Sequence, residues 1–83
     1  MEKIILGSIK DFSVYLGTVV LYLERYGEVE ISGMGNNIGK AERIRSLLRS
    51  FGVKEKARRY ENIRDSHALV IHLALDDVPM AVG

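Results

Sequence analysis

The hydrophobic period of the chain changes once between Glu28 and Ser50, and that change restricts the fold more than any other feature. Glu28-Val29-Glu30-Ile31-Ser32 alternates polar and apolar residues, the pattern of a half-buried strand. From Ile38 to Ser50 a helix is expected, with Ile38, Ala41, Ile44, Leu47, Leu48 and Phe51 as its inner face and Lys40, Arg43 and Arg49 looking outward. Between them lies Gly33-Met34-Gly35-Asn36-Asn37. A strand that runs through Gly-x-Gly into a helix exposes backbone N–H groups at the helix start, where the dipole favours an anion such as phosphate. Gly33 and Gly35 remove side chains where a ligand backbone would approach. Asn36 and Asn37 suit helix caps or hydrogen bonds to phosphate, and Lys40 adds a full charge in the first turn.

The remaining elements follow from the same rules. Lys3-Ile4-Ile5-Leu6 reads as a short buried strand closed by Gly7. Ser8 and Asp11 have the spacing of a capping box, with Asp in place of Glu. A helix is expected from Asp11 to Tyr26, with Phe12, Tyr15, Leu16, Val19, Val20, Leu23 and Tyr26 on one broad apolar face and Gly27 as its stop. Gly17, inside that helix, suggests close packing. Tyr15 and Tyr26 are expected in the core and Tyr22 at an interface. Val53 to Arg64 reads as a strand with a basic exposed face, its alternation interrupted at Arg58-Arg59. His67 to Leu75 reads as a strand apolar on both faces, and residues 76–83 as a frayed tail. The expected architecture is α/β, a two-layer α+β sandwich in the order β-α-β-α-β-β. It has one four-stranded mixed sheet with both helices on one face.

Size and charge narrow the function classes. An 83-residue chain is one domain with a thin core, so a dimer that buries its apolar faces is expected. There is no cysteine, which excludes disulfides and thiolate metal sites. His67 and His72 are five apart on one strand and face opposite sides, so no metal or other cofactor is expected. No apolar run has the length of a membrane span, and the stretch at Ile4-Ile5-Leu6 is too short for a signal peptide, so the expectation is cytoplasmic. Net charge is only +1, yet residues 36–67 carry nine Lys or Arg against four acids. That basic segment points to nucleic acid; a solvated helix face and an edge strand kept soluble by Arg and Lys explain it equally well.

The glycine turn matches neither common nucleotide loop. Gly33-Met34-Gly35-Asn36-Asn37-Ile38-Gly39 lacks the dinucleotide spacing. Gly35 to Lys40 is one residue short of a Walker loop and is followed by Ala41 instead of Ser or Thr. Instead, Glu30 to Ala41 resembles the strand-loop-helix signature of the Alba-type chromatin proteins of archaea: an apolar strand end, Gly35, two variable residues, Ile38, a small residue, Lys40 and Ala41. Ile4-Ile5-Leu6-Gly7 followed by a helix extends the resemblance, and the order of elements carries it over residues 3–75.

The resemblance implies a non-enzymatic protein, usually a homodimer or a heterodimer with a related subunit, that binds DNA or RNA through phosphate contacts. It would be nucleoid-associated if its ligand is DNA. Lys40 would contact the backbone, Gly7 to Phe12 would form a second binding loop with Lys10 as its cation, and the last hairpin would be an arm. The expected contact residues are Lys10, Met34, Gly35, Asn36, Asn37, Lys40, Arg43, Arg58, Arg59 and Arg64. Three departures lower the charge of such a surface. Ser8-Ile9-Lys10-Asp11 stands where the family has two adjacent basic residues, Met34 and Asn36 stand where it has Arg, and Arg64-Asp65-Ser66-His67 leaves only a tight turn. These losses weaken the electrostatic term and make RNA, met through Asn hydrogen bonds and Met or Tyr contacts, as plausible a ligand as DNA. An interaction protein on the same scaffold is the alternative reading; an enzyme acting on a small anion ranks third.

Overall fold

A computed structural model describes residues 1–75; the expected tail at residues 76–83 lies outside the described residues. The elements are β1 (Lys3–Leu6), α1 (Phe12–Tyr26), β2 (Glu28–Met34), α2 (Ile38–Arg49), β3 (Val53–Ile63) and β4 (Ser66–Leu75), with a single 3-10 turn, Gly35–Asn37, between β2 and α2. One mixed sheet has the order β1-β2-β4-β3. β1 runs parallel to β2, and β4 is antiparallel to both β2 and β3. The expected order of elements is the observed one.

Alternation along the strands separates two faces. Ile4, Leu6, Val29, Ile31, Leu69, Ile71 and Leu73 form one core with Tyr15, Val19 and Leu23 of α1 and Ala41, Ile44 and Leu48 of α2. Both helices therefore pack on that face. The other face carries Ile5, Glu30, Ser32, Val70 and His72, with no second layer over it among the described residues. Ala68, Val70 and Ala74 are nonetheless buried, because they are small residues in a central strand between strands with longer side chains.

Several local expectations change. β2 continues through Gly33 to Met34, so the strand ends later than its alternation suggests. Neither Asp11 nor Asn37 makes a side-chain cap, and no Ser8–Asp11 capping box forms. Gly27 does end α1, at φ 79° with its N–H donated to the Leu23 carbonyl. A β-carbon at Gly17 would meet nothing within 4 Å, so this glycine serves no close approach. Tyr26 lies outside the core, 51% exposed, with Tyr22 packed edge-on against it. Leu47 and Phe51 are also turned outward, Phe51 by 78%. A stripe at three- and four-residue spacing is wider than the contact one sheet can offer, so its margins stay wet. The irregularity in β3 falls at Lys56, where the register shifts between Glu55 and Ala57; Arg58 and Arg59 beyond it simply point to opposite faces.

Candidate functional site

The strand registers bring three segments to one end of the sheet. Leu6 pairs with Gly33, Met34 with Ala68, and Ile63 with Ser66. The Gly7–Asp11 loop, the 3-10 turn and the β3–β4 hairpin tip therefore lie together. Arg64 sits in the two-residue hairpin turn at φ 58°, the one left-handed conformation among the described non-glycine residues. The hairpin extends past β2 by only the Asn62–His67 and Ile63–Ser66 pairs, so the arm is short.

Gly33 and Gly35 are glycines for different reasons. A β-carbon at Gly33 would lie 2.2 Å from the Asn37 carbonyl oxygen, because the 3-10 turn folds back over the end of its own strand. The space at Gly33 is thus filled by the chain itself. Gly35 takes φ 58° with open space around it, which is the conformational freedom that starts the turn. The Ile38 N–H closes the turn on the Gly35 carbonyl.

Lys40 joins this turn to the first loop. Its Nζ donates to the Gly7 carbonyl oxygen at 2.5 Å and lies 5.8 Å from the centre of the Tyr15 ring. Lys40 is consequently half-buried, where an outward charge was expected. Its ammonium has three donors, so this bond leaves others for a ligand. Ser8 Oγ and Asn37 Oδ1, 3.5 Å apart, span the same gap. Beside them the Arg43 guanidinium stacks 4.4 Å from the centre of the Phe12 ring, a cation–π contact that fixes it at the start of α1. Lys10, Met34, Gly35 and Asn36 are exposed, and Asn37 is half-buried. Ile9 at the loop tip is 98% exposed.

Arg58 and Arg59 are not part of this cluster. Arg58 faces the helix side and donates from Nε and Nη2 to Glu55 at 2.8 and 2.5 Å, and from Nη2 to Glu42 of α2 at 2.8 Å. The Arg58 hydrogen bond holds the Glu55 carboxyl below its ordinary range, against the opposing effect of burial. The same bonds raise the Arg58 pKa further. Arg59 faces the outer side, bonded to Glu30 at 2.8 Å and Glu61 at 3.0 Å, and its pKa is raised by Glu61 first and Glu30 next. On that face His72 Nε2 lies 2.6 Å from Glu28 Oε1.

The candidate residues thus divide. Lys10, Met34, Gly35, Asn36, Asn37, Lys40, Arg43 and Arg64 belong to one end of the sheet, while Arg58 and Arg59 are held by carboxylates farther along it. The sequence reading missed the Phe12 platform and the four acids Glu30, Glu42, Glu55 and Glu61. Only Glu55 and Glu61, within three residues of their arginines, left a local signal. Among the described residues, no group of three or more His, Asp or Glu could hold a metal, and no helix is long and apolar enough to cross a membrane.

No protein-family model and no curated protein sequence matches the chain. Solved structures do. ALBA1 from Trypanosoma brucei superimposes with a TM-score of 0.83 at 17% identity, over 92% of this chain and 71% of that one. Alba from Thermoplasma volcanium superimposes with a TM-score of 0.70 at 20% identity, over 88% of this chain and 99% of that one. At such identities the likeness is one of backbone, and it agrees with the two helices and the four-stranded mixed sheet: the chain has the Alba fold.

Proposed function

We propose that the chain is a non-enzymatic module that binds DNA or RNA by contacting phosphates with the Gly7–Phe12 and Gly33–Lys40 loops, and that it acts as a dimer in the cytoplasm or on the nucleoid. The observation that carries this reading is the Lys40 bond to the Gly7 carbonyl, which makes one surface of two loops. Lys10, Arg43 and Arg64 surround that surface, and the Alba fold is consistent with it. Arg58 and Arg59 already have carboxylate partners and contribute less. The affinity is therefore modest and its salt dependence shallow, set by few phosphates. Met34, Asn36 and the Arg43–Phe12 stack offer apolar, hydrogen-bonding and planar contacts to unstacked bases, which suits RNA.

Binding of duplex DNA and of structured RNA, followed across a salt series, tests the reading. The affinity should fall as salt rises, and Lys40→Gln should lower the slope of log K against log salt by about one phosphate's worth. No binding to either nucleic acid at low salt rejects it.

One observation favours assembly as a function of the same scaffold. A groove of about 460 Å³ between the helices is lined by Leu16, Val20, Leu23, Leu47, Phe51 and Leu75, with Glu24 its single charge among the described residues. A second copy of the chain is the occupant proposed here. A small domain gains most by burying such a margin. Light scattering distinguishes the two readings: an oligomer without salt-sensitive nucleic-acid binding favours assembly alone.

A further inference from the structure

Arg43 differs from the other arginines in how it is held. Arg45, Arg58 and Arg59 have carboxylates against the edges of their guanidinium groups. Arg43 has no carboxylate or hydrogen-bond partner among the described residues; a ring fixes it instead. Its guanidinium carbon lies 4.4 Å from the centre of the Phe12 ring, so one face of the planar cation is covered. The residue is otherwise exposed, which leaves its second face and its N–H edges open to solvent. Arg25, Arg49 and Arg64 also lack a carboxylate among the described residues, and none of them has a ring beneath it there.

The stack sits on the seam between the two loops. Arg43 follows Lys40 by three positions on α2, so the two side chains share one flank of that helix. Lys40 reaches the Gly7 carbonyl at the start of the first loop, and Phe12 opens α1 at that loop's end. Phe12 is half-buried and packs on the core, so the platform is anchored through its lower layer. Lys10, in the loop between, is exposed and has no ion pair among the described residues. A phosphate held at this seam puts its nucleotide beside Arg43.

We infer that the Phe12–Arg43 pair seats one unpaired base, so that the ligand is a single strand or the loop of a folded nucleic acid. This rests on the nucleic-acid binding proposed above and names the form of nucleic acid that the same surface takes. A phosphate asks an arginine for charge and N–H donors, and needs no ring beneath them. A base is planar and draws its stacking energy from a plane held parallel to it. Phe12 orients that plane in advance, so little freedom is lost when a base lies on the open face. The guanidinium is then sandwiched between ring and base, with its N–H edges left for the strand's own phosphates. Inside a duplex both faces of a base are covered by its neighbours, so a paired strand cannot use the seat. Arg43 makes the contact; Phe12 is a positioning residue that acts through it.

Two short strands of equal length and charge test this: oligoadenylate, and a phosphodiester chain that carries no bases. Each is titrated by fluorescence anisotropy. The protein should bind the adenine strand about tenfold more tightly, the scale of one base stack. Arg43→Lys keeps the charge and loses the plane. It should remove that preference while the affinity for the abasic chain and the salt slope stay unchanged. Phe12→Leu should lose most of the preference and Phe12→Tyr keep it. Circular dichroism checks that the Phe12 variants fold, and the Arg43→Lys result stands without them, since Arg43 is exposed and makes no hydrogen bond among the described residues. Ribose and deoxyribose strands are run in parallel; a preference in either supports the seat, and the strand that shows it identifies RNA or DNA as the source. Salt-sensitive binding that is equal with and without bases, or a preference unchanged in Arg43→Lys, overturns the seat and leaves the phosphate contacts standing. No binding of either strand or of a duplex at low salt rejects both.

Discussion

Gly33 has no room for a side chain, and the neighbour that excludes one is backbone. The Asn37 carbonyl cannot rotate away as a side chain would, so the turn itself must move. Gly33→Ala should therefore destabilise the fold by about 3 kcal/mol and displace the 3-10 turn, measured by chemical denaturation and by amide shifts at Asn36 and Asn37. A change near zero would show that the turn has slack. Lys40 is the other residue whose neighbours define its role. Its bond to Gly7 spans 33 positions, so the loops it joins are separate in sequence and adjacent in space. Lys40→Gln, with its lower salt slope, belongs to this scale because one charge is removed from one place. The sequence marked both residues as special. It gave Gly33 a ligand-clearing role and Lys40 an outward one, because neither the returning turn nor the Gly7 carbonyl is visible in the local pattern.

At the scale of elements, α1 and α2 are helices because their apolar residues recur at the helical period, and that period was legible. Which edge of each stripe stays wet was not, since it depends on how each helix rolls against the sheet. Gly17 shows the same limit. It sits exposed in α1 with open space around it, so Gly17→Ala should stabilise the protein by about 1 kcal/mol, read as a raised denaturation midpoint. An unchanged or lowered midpoint would mean that the glycine is needed by a partner.

The link between α2 and β3 is electrostatic at its exposed margin, where Glu42, Glu55 and Arg58 meet. The Glu55 carboxyl is lowered in the folded state relative to the unfolded chain. Its contribution is therefore complete above the ordinary Glu range near about 4.3 and is lost as pH falls through the lower folded value. Glu55→Gln should cost about 1 kcal/mol at neutral pH and make the acid loss of stability shallower. Denaturation curves between neutral pH and strongly acidic pH check both. An identical acid profile in the variant would remove Glu55 from the account.

For the whole molecule, the sheet order β1-β2-β4-β3 decides what shares a surface. It gathers the first loop, the glycine turn and the hairpin tip at one end. It also leaves an apolar groove with Phe51 78% exposed. If a second copy covers that groove, Phe51→Asp should convert a dimer to a monomer in sedimentation while the far-ultraviolet spectrum stays unchanged. A variant that remains dimeric places the interface elsewhere.

The sequence by itself determined the elements, their order, the mixed two-layer class and the position of the glycine turn. Hydrophobic period and turn chemistry act over a few residues and can be read along the chain. Only the tertiary structure decided which cations are free. Arg58 meets Glu42 across 16 positions and Arg59 meets Glu30 across 29, so two arginines that look like a basic patch in sequence are largely neutralised in space. Arg45, which nothing in the sequence sets apart, faces the Glu55 carboxylate at 3.7 Å with a buried Nε that has no hydrogen-bond acceptor among the described residues. Charge pairing follows distance in space, and that distance is fixed only when the helices settle on the sheet.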